Sequence, residues 1–369
     1  MHFLRTLLLA ILVCLLCGSV FAQSNKKLDP DAGYIPVVAP EDKKKKKGDE
    51  ITQALAGPPE LPAAVTAETD RLVYQVTPLS SKGLLSQQTR DALKALLKSN
   101  HGPIVKLRAF VAGSGDLRRV GEIAGEMFLE KHLPLPALSV AQVGALPLEG
   151  AQVVIEATEV DRKVVNPAGV AFIAGQAAAS VGESIENLKG VLAGAGMQAD
   201  DALSVTCFVS SLDDQRGTQR AMAASFPSAA LNYVQMQRSP VTPAADCEAV
   251  ARLRSAPAAA VSFASNAQAA LVAGPQVVIT GTQLAFGNQD SDFKLAFERL
   301  EKTLAAAKTS FAHVVRAHLY VTASGLSSRV LSIQSAHSVA GQTPAATLVP
   351  IESLPSLDAQ FGIDVIAVP

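Results

Sequence analysis

The chain has 369 residues, a formal net charge of −1 and no tryptophan, with 49% hydrophobic and 5% aromatic residues. That balance excludes the basic footprint of a nucleic-acid binder. Of the four cysteines, Cys14 and Cys17 lie in the N-terminal apolar run, and the remaining pair, Cys207 and Cys247, is too few for a disulfide scaffold, so packing must supply the stability.

The first 22 residues read as a secretory signal. Met1–Arg5 carries one positive side chain, Thr6–Cys17 is apolar, and Gly18-Ser19-Val20-Phe21-Ala22 ends in small residues. The run is too short and wrongly flanked for a spanning helix. Cys17 follows Leu16 rather than a small residue, which disfavours a lipoprotein site. The expectation is cleavage after Ala22 and a periplasmic or secreted protein without a transmembrane segment. Residues 23–61 read as a disordered linker rich in Pro, Asp and Lys. Acidic residues flank its lysine run, Lys43–Lys47, which favours a solvated tether over a surface-binding element.

Beyond the linker the sequence repeats a succession of helix, strand, helix, strand, strand. Helical periodicity marks Gln88–Ser99, Ser184–Ala195 and Phe293–Lys308, and strands are predicted at Val105–Ala112, Leu203–Ser210 and Val314–Thr322. Alternation sorts the strand faces. Leu107, Ala109 and Val111, with Val205, Cys207 and Val209 and with Ala317, Leu319 and Val321, form an apolar side for the helices. The other side presents Lys106 and Arg108, Ser204 and Thr206, and Arg316 and His318. Each unit ends in a strand with an acid: Glu156, Glu248 and Asp364.

This order of elements resembles the YjgF/RidA module. So do the helix Leu188-Lys189-Gly190-Val191-Leu192, the turn and strand Asp200–Val209, and Ala174-Gly175-Gln176 after an early strand. The resemblance implies an α+β chain of three tandem chorismate-mutase-like modules at 62–162, 163–256 and 257–369. It further implies a single-chain pseudo-trimer with sheets inward and helices outward, a monomer that mimics a trimer. In the family a Pro-Ala-Arg-Ser/Thr segment supplies an arginine that holds the substrate carboxylate, a bidentate role few other side chains can fill. Here the matching positions read Leu138, Ala230 and Ala346. The family's orienting acid survives only as Asp246; Val154 and Gly362 stand at the other two positions.

The expected function is therefore binding of a small molecule or partner at inter-module clefts, without the family's imine deaminase activity. One alternative is a residual hydrolase that uses Asp246 or Glu248 with Arg108, Arg316 or Arg238. A purely structural protein is another. Arg108, Arg316 and His318 either form a new anion site or pair with Glu156, Glu248 and Asp364 as structural salt bridges. His318 alone, with no placed nucleophile, is a weak candidate for a general base. His101, His132, His313 and His337 lack metal-ligand spacing, so neither metal nor cofactor is expected. Cys207 and Cys247 share the helix-covered side, as a disulfide or as two buried thiols.

Overall fold

The computed structural model describes residues 57, 59–239, 241–338 and 342–369. The expected signal segment, its cleavage point and the lysine run lie outside them. β1 (Ala64–Glu68) and β2 (Leu72–Val76) precede α1 (Leu85–Ser99), β3 (Ile104–Val111), α2 (Arg118–Glu130), β4 (Ala137–Gln142) and β5 (Val153–Val160). The succession recurs as β6 (Val170–Ala178), α3 (Val181–Gly194), β7 (Ala202–Val209), α4 (Gln215–Ser225), β8 (Ala230–Gln235) and β9 (Ala245–Arg252). A hairpin follows, β10 (Val261–Ala264) and β11 (Ala269–Val272), and then β12 (Gln276–Thr280) and β13 (Gln283–Phe286). The chain ends with α5 (Asp290–Ala306), β14 (Val314–Val321), α6 (Ser327–His337), β15 (Ala345–Pro350) and β16 (Ala359–Ala367). No described helix is long and apolar enough to cross a membrane.

Three sheets share one design. β3 runs antiparallel to β5 and parallel to β4; β7 stands likewise between β9 and β8, and β14 between β16 and β15. The parallel neighbour is reached through a helix, as a parallel connection requires. The sheets do not respect sequence order at their outer edges. The β10–β11 hairpin, which precedes β12 in the chain, pairs with β6 through Ala269↔Ile173 and Val272↔Val170. β1 in turn crosses to the C-terminal sheet and pairs with β12 from Ala64↔Thr280 to Glu68↔Gln276. Each exchange gives an otherwise bare edge its backbone partners.

The helices cover one face of each sheet because their apolar residues recur three and four apart. Leu93 and Leu96 of α1 pack with Leu107, Ala109 and Val111. Leu188 and Leu192 of α3 pack with Val205 and Val209, and Phe297 and Leu300 of α5 with Leu319 and Val321. Each such leucine or phenylalanine stabilises the fold by roughly 1.5–3 kcal/mol at most. Within this layer Cys207 and Cys247 face each other on β7 and β9 and are joined by a disulfide.

The opposite faces of the three sheets meet each other. Phe110, Phe208 and Tyr320, one from each central strand, share a buried apolar cluster with Val143, Met236 and Ile351. A second cluster joins Val105, Phe172, Val250, Ile279 and Val315. The polar residues of the central strands lie between these two apolar layers.

Candidate functional site

Along β3, β7 and β14, the residues Arg108, Thr206 and His318 stand opposite Glu156, Glu248 and Asp364 on the antiparallel neighbours. Lys106, Ser204 and Arg316 lie two positions earlier, on the same face by the period of a strand. Lys106, Arg108, Arg316, His318, Glu248 and Asp364 are all buried.

Arg108 is the hub. Its Nε donates to Glu156 Oε2 at 2.7 Å and its Nη2 to Glu248 Oε1 at 2.7 Å, so one guanidinium joins acids of two sheets. Its Nη1 lies 2.8 Å from Nε2 of His318 on the third sheet. A guanidinium only donates, so Nε2 accepts there, and the Nδ1–H of His318 donates to Asp364 Oδ1 at 2.8 Å. Arg316 Nη2 reaches Glu248 Oε1 at 2.9 Å. Lys106 Nζ donates to Ser139 Oγ at 2.6 Å and to the Thr280 carbonyl at 2.5 Å, with Asp364 Oδ2 at 3.7 Å. Ser139 Oγ–H in turn donates to Asp364 Oδ2 at 2.6 Å, and Glu156 Oε1 accepts from Thr206 Oγ1 at 2.6 Å and Asn232 Nδ2 at 2.7 Å.

The electrostatics follow from burial and pairing. Burial alone would push the Glu248 carboxyl up, but the guanidinium groups of Arg316 and Arg108 hold it well below the usual range. Asp364 is likewise held down against burial by Lys106 and His318. Burial lowers the Lys106 ammonium to about 8, with Asp364 opposing the shift and Arg108 adding to it. A cavity of about 60 Å³ lies among these residues.

The sequence places Arg108, Arg316, His318, Glu156, Glu248 and Asp364 on one face, and the structure brings all six together. Each cation faces a carboxylate. Arg238 stands apart on an exposed loop, where its backbone N–H donates to Glu352 Oε1 at 2.5 Å. No group of His, Cys, Asp and Glu among the described residues could hold a metal ion.

The ladder corrects one assignment. Leu107 pairs with Leu138, Val205 with Leu231 and Ala317 with Ala346, so the second position equivalent to the family's arginine is Leu231, not Ala230. The small residues Ala229-Ala230 carry no register signal of their own. The next position is polar in all three sheets: Ser139, Asn232 and Thr347 pair with Arg108, Thr206 and His318. These three extend the polar level, and that recurrence was the signal available in the sequence. Tyr74 also lines the cavity, and no pattern in the chain singled it out.

Asp246 lies opposite Phe208 and Ala177, close over Gly175, where any Cβ would collide with its carboxylate. The Gly175 N–H donates to Thr347 Oγ1 at 3.0 Å, which ties β6 to β15 of another sheet. Burial, reinforced by the charge of Glu248, raises the Asp246 carboxyl to about 7. Its Oδ1 has no hydrogen-bond partner among the described residues.

No curated protein matches the chain. Among solved structures, a YjgF-family protein from Neisseria meningitidis is 21% identical over 27% of this chain and 82% of its own, with a TM-score of 0.24. A YjgF/YER057c/UK114-family protein from Mycobacterium tuberculosis is 23% identical over 26% of this chain and 80% of its own, also at 0.24. RidA from Psychrobacter sp. PAMC 21119 is 19% identical over 31% and 93%, again at 0.24. A family model described as Endoribonuclease L-PSP matches residues 253–369. That match covers the C-terminal stretch alone, and there the chain is similar to the family that its sequence resembles.

Proposed function

We propose that this is an exported RidA-like protein that binds a small molecule or a partner and does not deaminate imines. In this reading its three sheets stand in for three subunits, inward of their helices, and one chain is a complete pseudo-trimer. Covalent linkage frees each interface to diverge, because the modules no longer rely on concentration to meet.

The observation that carries the reading is the fate of the cations. Leu138, Leu231 and Ala346 fill the arginine positions, and Lys106, Arg108 and Arg316 are each directed at a carboxylate of the chain itself. A substrate carboxylate would have to displace Glu156, Glu248 or Asp364 to gain a bidentate partner. The Cys207–Cys247 disulfide supports a place outside the reducing cytosol.

A second reading rests on Asp246. A buried carboxyl with one unpartnered oxygen that burial raises to about 7 has the properties of a general acid or base, and in this reading it is a remnant of a hydrolase. An imine-hydrolysis assay separates the two. An amino-acid oxidase generates the imino acid in place, and semicarbazide trapping reports competition. The proposal predicts no acceleration over buffer; acceleration that disappears in Asp246→Ala would establish the second reading instead.

A further inference from the structure

We propose that the outer edge of β2 docks an extended peptide of another polypeptide as an antiparallel strand. The peptide carries small apolar residues at alternate positions. The three sheets differ at this place: β6 is paired on its outer side by β11 and β12 by β1. β2 is the counterpart of both. Tyr74, Phe172 and Ile279 stand opposite Thr158, Val250 and Ile366, each two residues after the acid of its strand. Among the described residues no strand pairs with the other side of β2. The Thr77 N–H donates to the Ile155 carbonyl, so by the alternation of an antiparallel ladder Leu72, Tyr74 and Val76 direct their N–H and C=O groups away from β5. The Leu72 carbonyl is met by Asn166 Nδ2 at 2.8 Å. Those of Tyr74 and Val76, and their N–H groups, have no partner among the described residues.

Burial marks the same place. β1 lies against β3 and β11 against β14, where Ala67, Ala270 and Val272 share an apolar cluster with Val105 and Val315. Val105, Lys106, Val315 and Arg316 are buried, as are Phe172 and Ile279. Their counterparts Leu203 and Ser204 on β7 and Tyr74 on β2 are only half-buried. The two filled places define the occupant of the third. Val65 and Ala270 stand opposite Ile279 and Phe172, and Ala67 and Val272 opposite Val277 and Val170. Small apolar side chains therefore belong opposite Tyr74 and Leu72. Ser204 stands where the other sheets carry Lys106 and Arg316, so β7 offers the peptide no charge to pair with. Main-chain hydrogen bonds supply the affinity of such a strand and its alternate side chains the specificity. This names a partner class for the binding role proposed above. It rests on the sheet edges and not on the loss of deaminase activity, so the imine assay and the peptide test can fail separately.

The probe is a fluorescein-labelled peptide of the sequence Pro62–Glu68, which spans β1, titrated with the full chain and read by anisotropy. The expected result is saturable binding on the order of 100 μM. The Gly281 N–H donates to the Ala63 carbonyl, so in β1 the main chain of residues 63, 65 and 67 faces its partner strand. N-methylation of Val65 in the peptide should therefore weaken binding by about tenfold or more. The same change at Thr66, whose N–H points away, should leave it within about twofold. In the protein, Val76→Pro removes an outward N–H that an edge strand can lose, and Leu203→Glu sets a charge against the apolar residues of the peptide. Each should weaken binding about fivefold. Four outcomes would overturn the proposal: no saturable binding, equal effects of the two N-methyl groups, undiminished affinity in both variants, or a dimer of the full chain that the peptide dissociates. The third would mean that the peptide displaces β1 from β12, and the fourth would give the edge to a second copy of the chain.

Discussion

Asp246 and Glu248 are two residues apart on one strand face, yet burial affects them in opposite directions. Glu248 faces the guanidinium groups of Arg108 and Arg316 and stays ionised; Asp246 has no such neighbour and is raised to about 7. The sign of the consequence is fixed by linkage. A carboxyl whose folded pKa is raised stabilises the native state fully at pH values below its unfolded pKa. That contribution is lost as pH rises from about 4 through about 7. Asp246→Asn should therefore stabilise the protein at pH 8 by an order of a few kcal/mol and change little at pH 4. Thermal unfolding at the two pH values reads this directly; equal shifts at both would show that Asp246 is not carrying a buried charge at pH 8. Glu248 and Asp364 act in the opposite sense. Their depressed pKa values contribute stability above the unfolded carboxylate range, and this is lost on acidification.

At the scale of elements, period and burial made most of the design legible in advance. The three central strands and the helices before them were marked by clear alternation and by apolar residues three and four apart. The helices begin earlier than their apolar patterns, at Leu85, Val181 and Asp290, because their first turns are polar and are set by caps such as Ser180, which accepts from the Glu183 N–H. The crossing of β1 to β12 and of the β10–β11 hairpin to β6 was not legible. Short strands such as Ala269-Ala270-Leu271-Val272 suit any apolar edge, and only three-dimensional adjacency selects one. The polar face of the central strands was readable, but which cation meets which acid depends on sheets far apart in sequence. The sequence leaves two fates open for the cysteines because it does not fix their register; the direct pairing of Cys207 with Cys247 settles it. With the cysteines 40 positions apart in sequence, replacing both by serine should cost about 4 kcal/mol by loop entropy. Urea denaturation of the double variant checks this, and an unchanged midpoint would mean that the ladder alone supplies the constraint.

At the scale of the molecule, the centre is where the chain departs most from an inward-facing apolar core. Apolar layers around Phe110, Phe208 and Tyr320 and around Phe172 and Ile279 enclose charged side chains contributed by all three sheets. Buried pairs of this kind add little net stability over apolar packing, but removing one partner leaves an uncompensated charge. They also specify geometry, since Arg108 must reach Glu156, Glu248 and His318 together and a slip of any one sheet against the others breaks at least one of these contacts. The account therefore rests on Glu248 as a structural member of the centre, facing Arg108, Arg316 and His318 at once. The most direct test is thermal unfolding of Glu248→Gln beside the parent chain. The account predicts a loss of about 3–5 kcal/mol, a fall in melting temperature of roughly 10 °C. A melting temperature unchanged within a degree would contradict it, and would return the cations of the centre to the role of a ligand site.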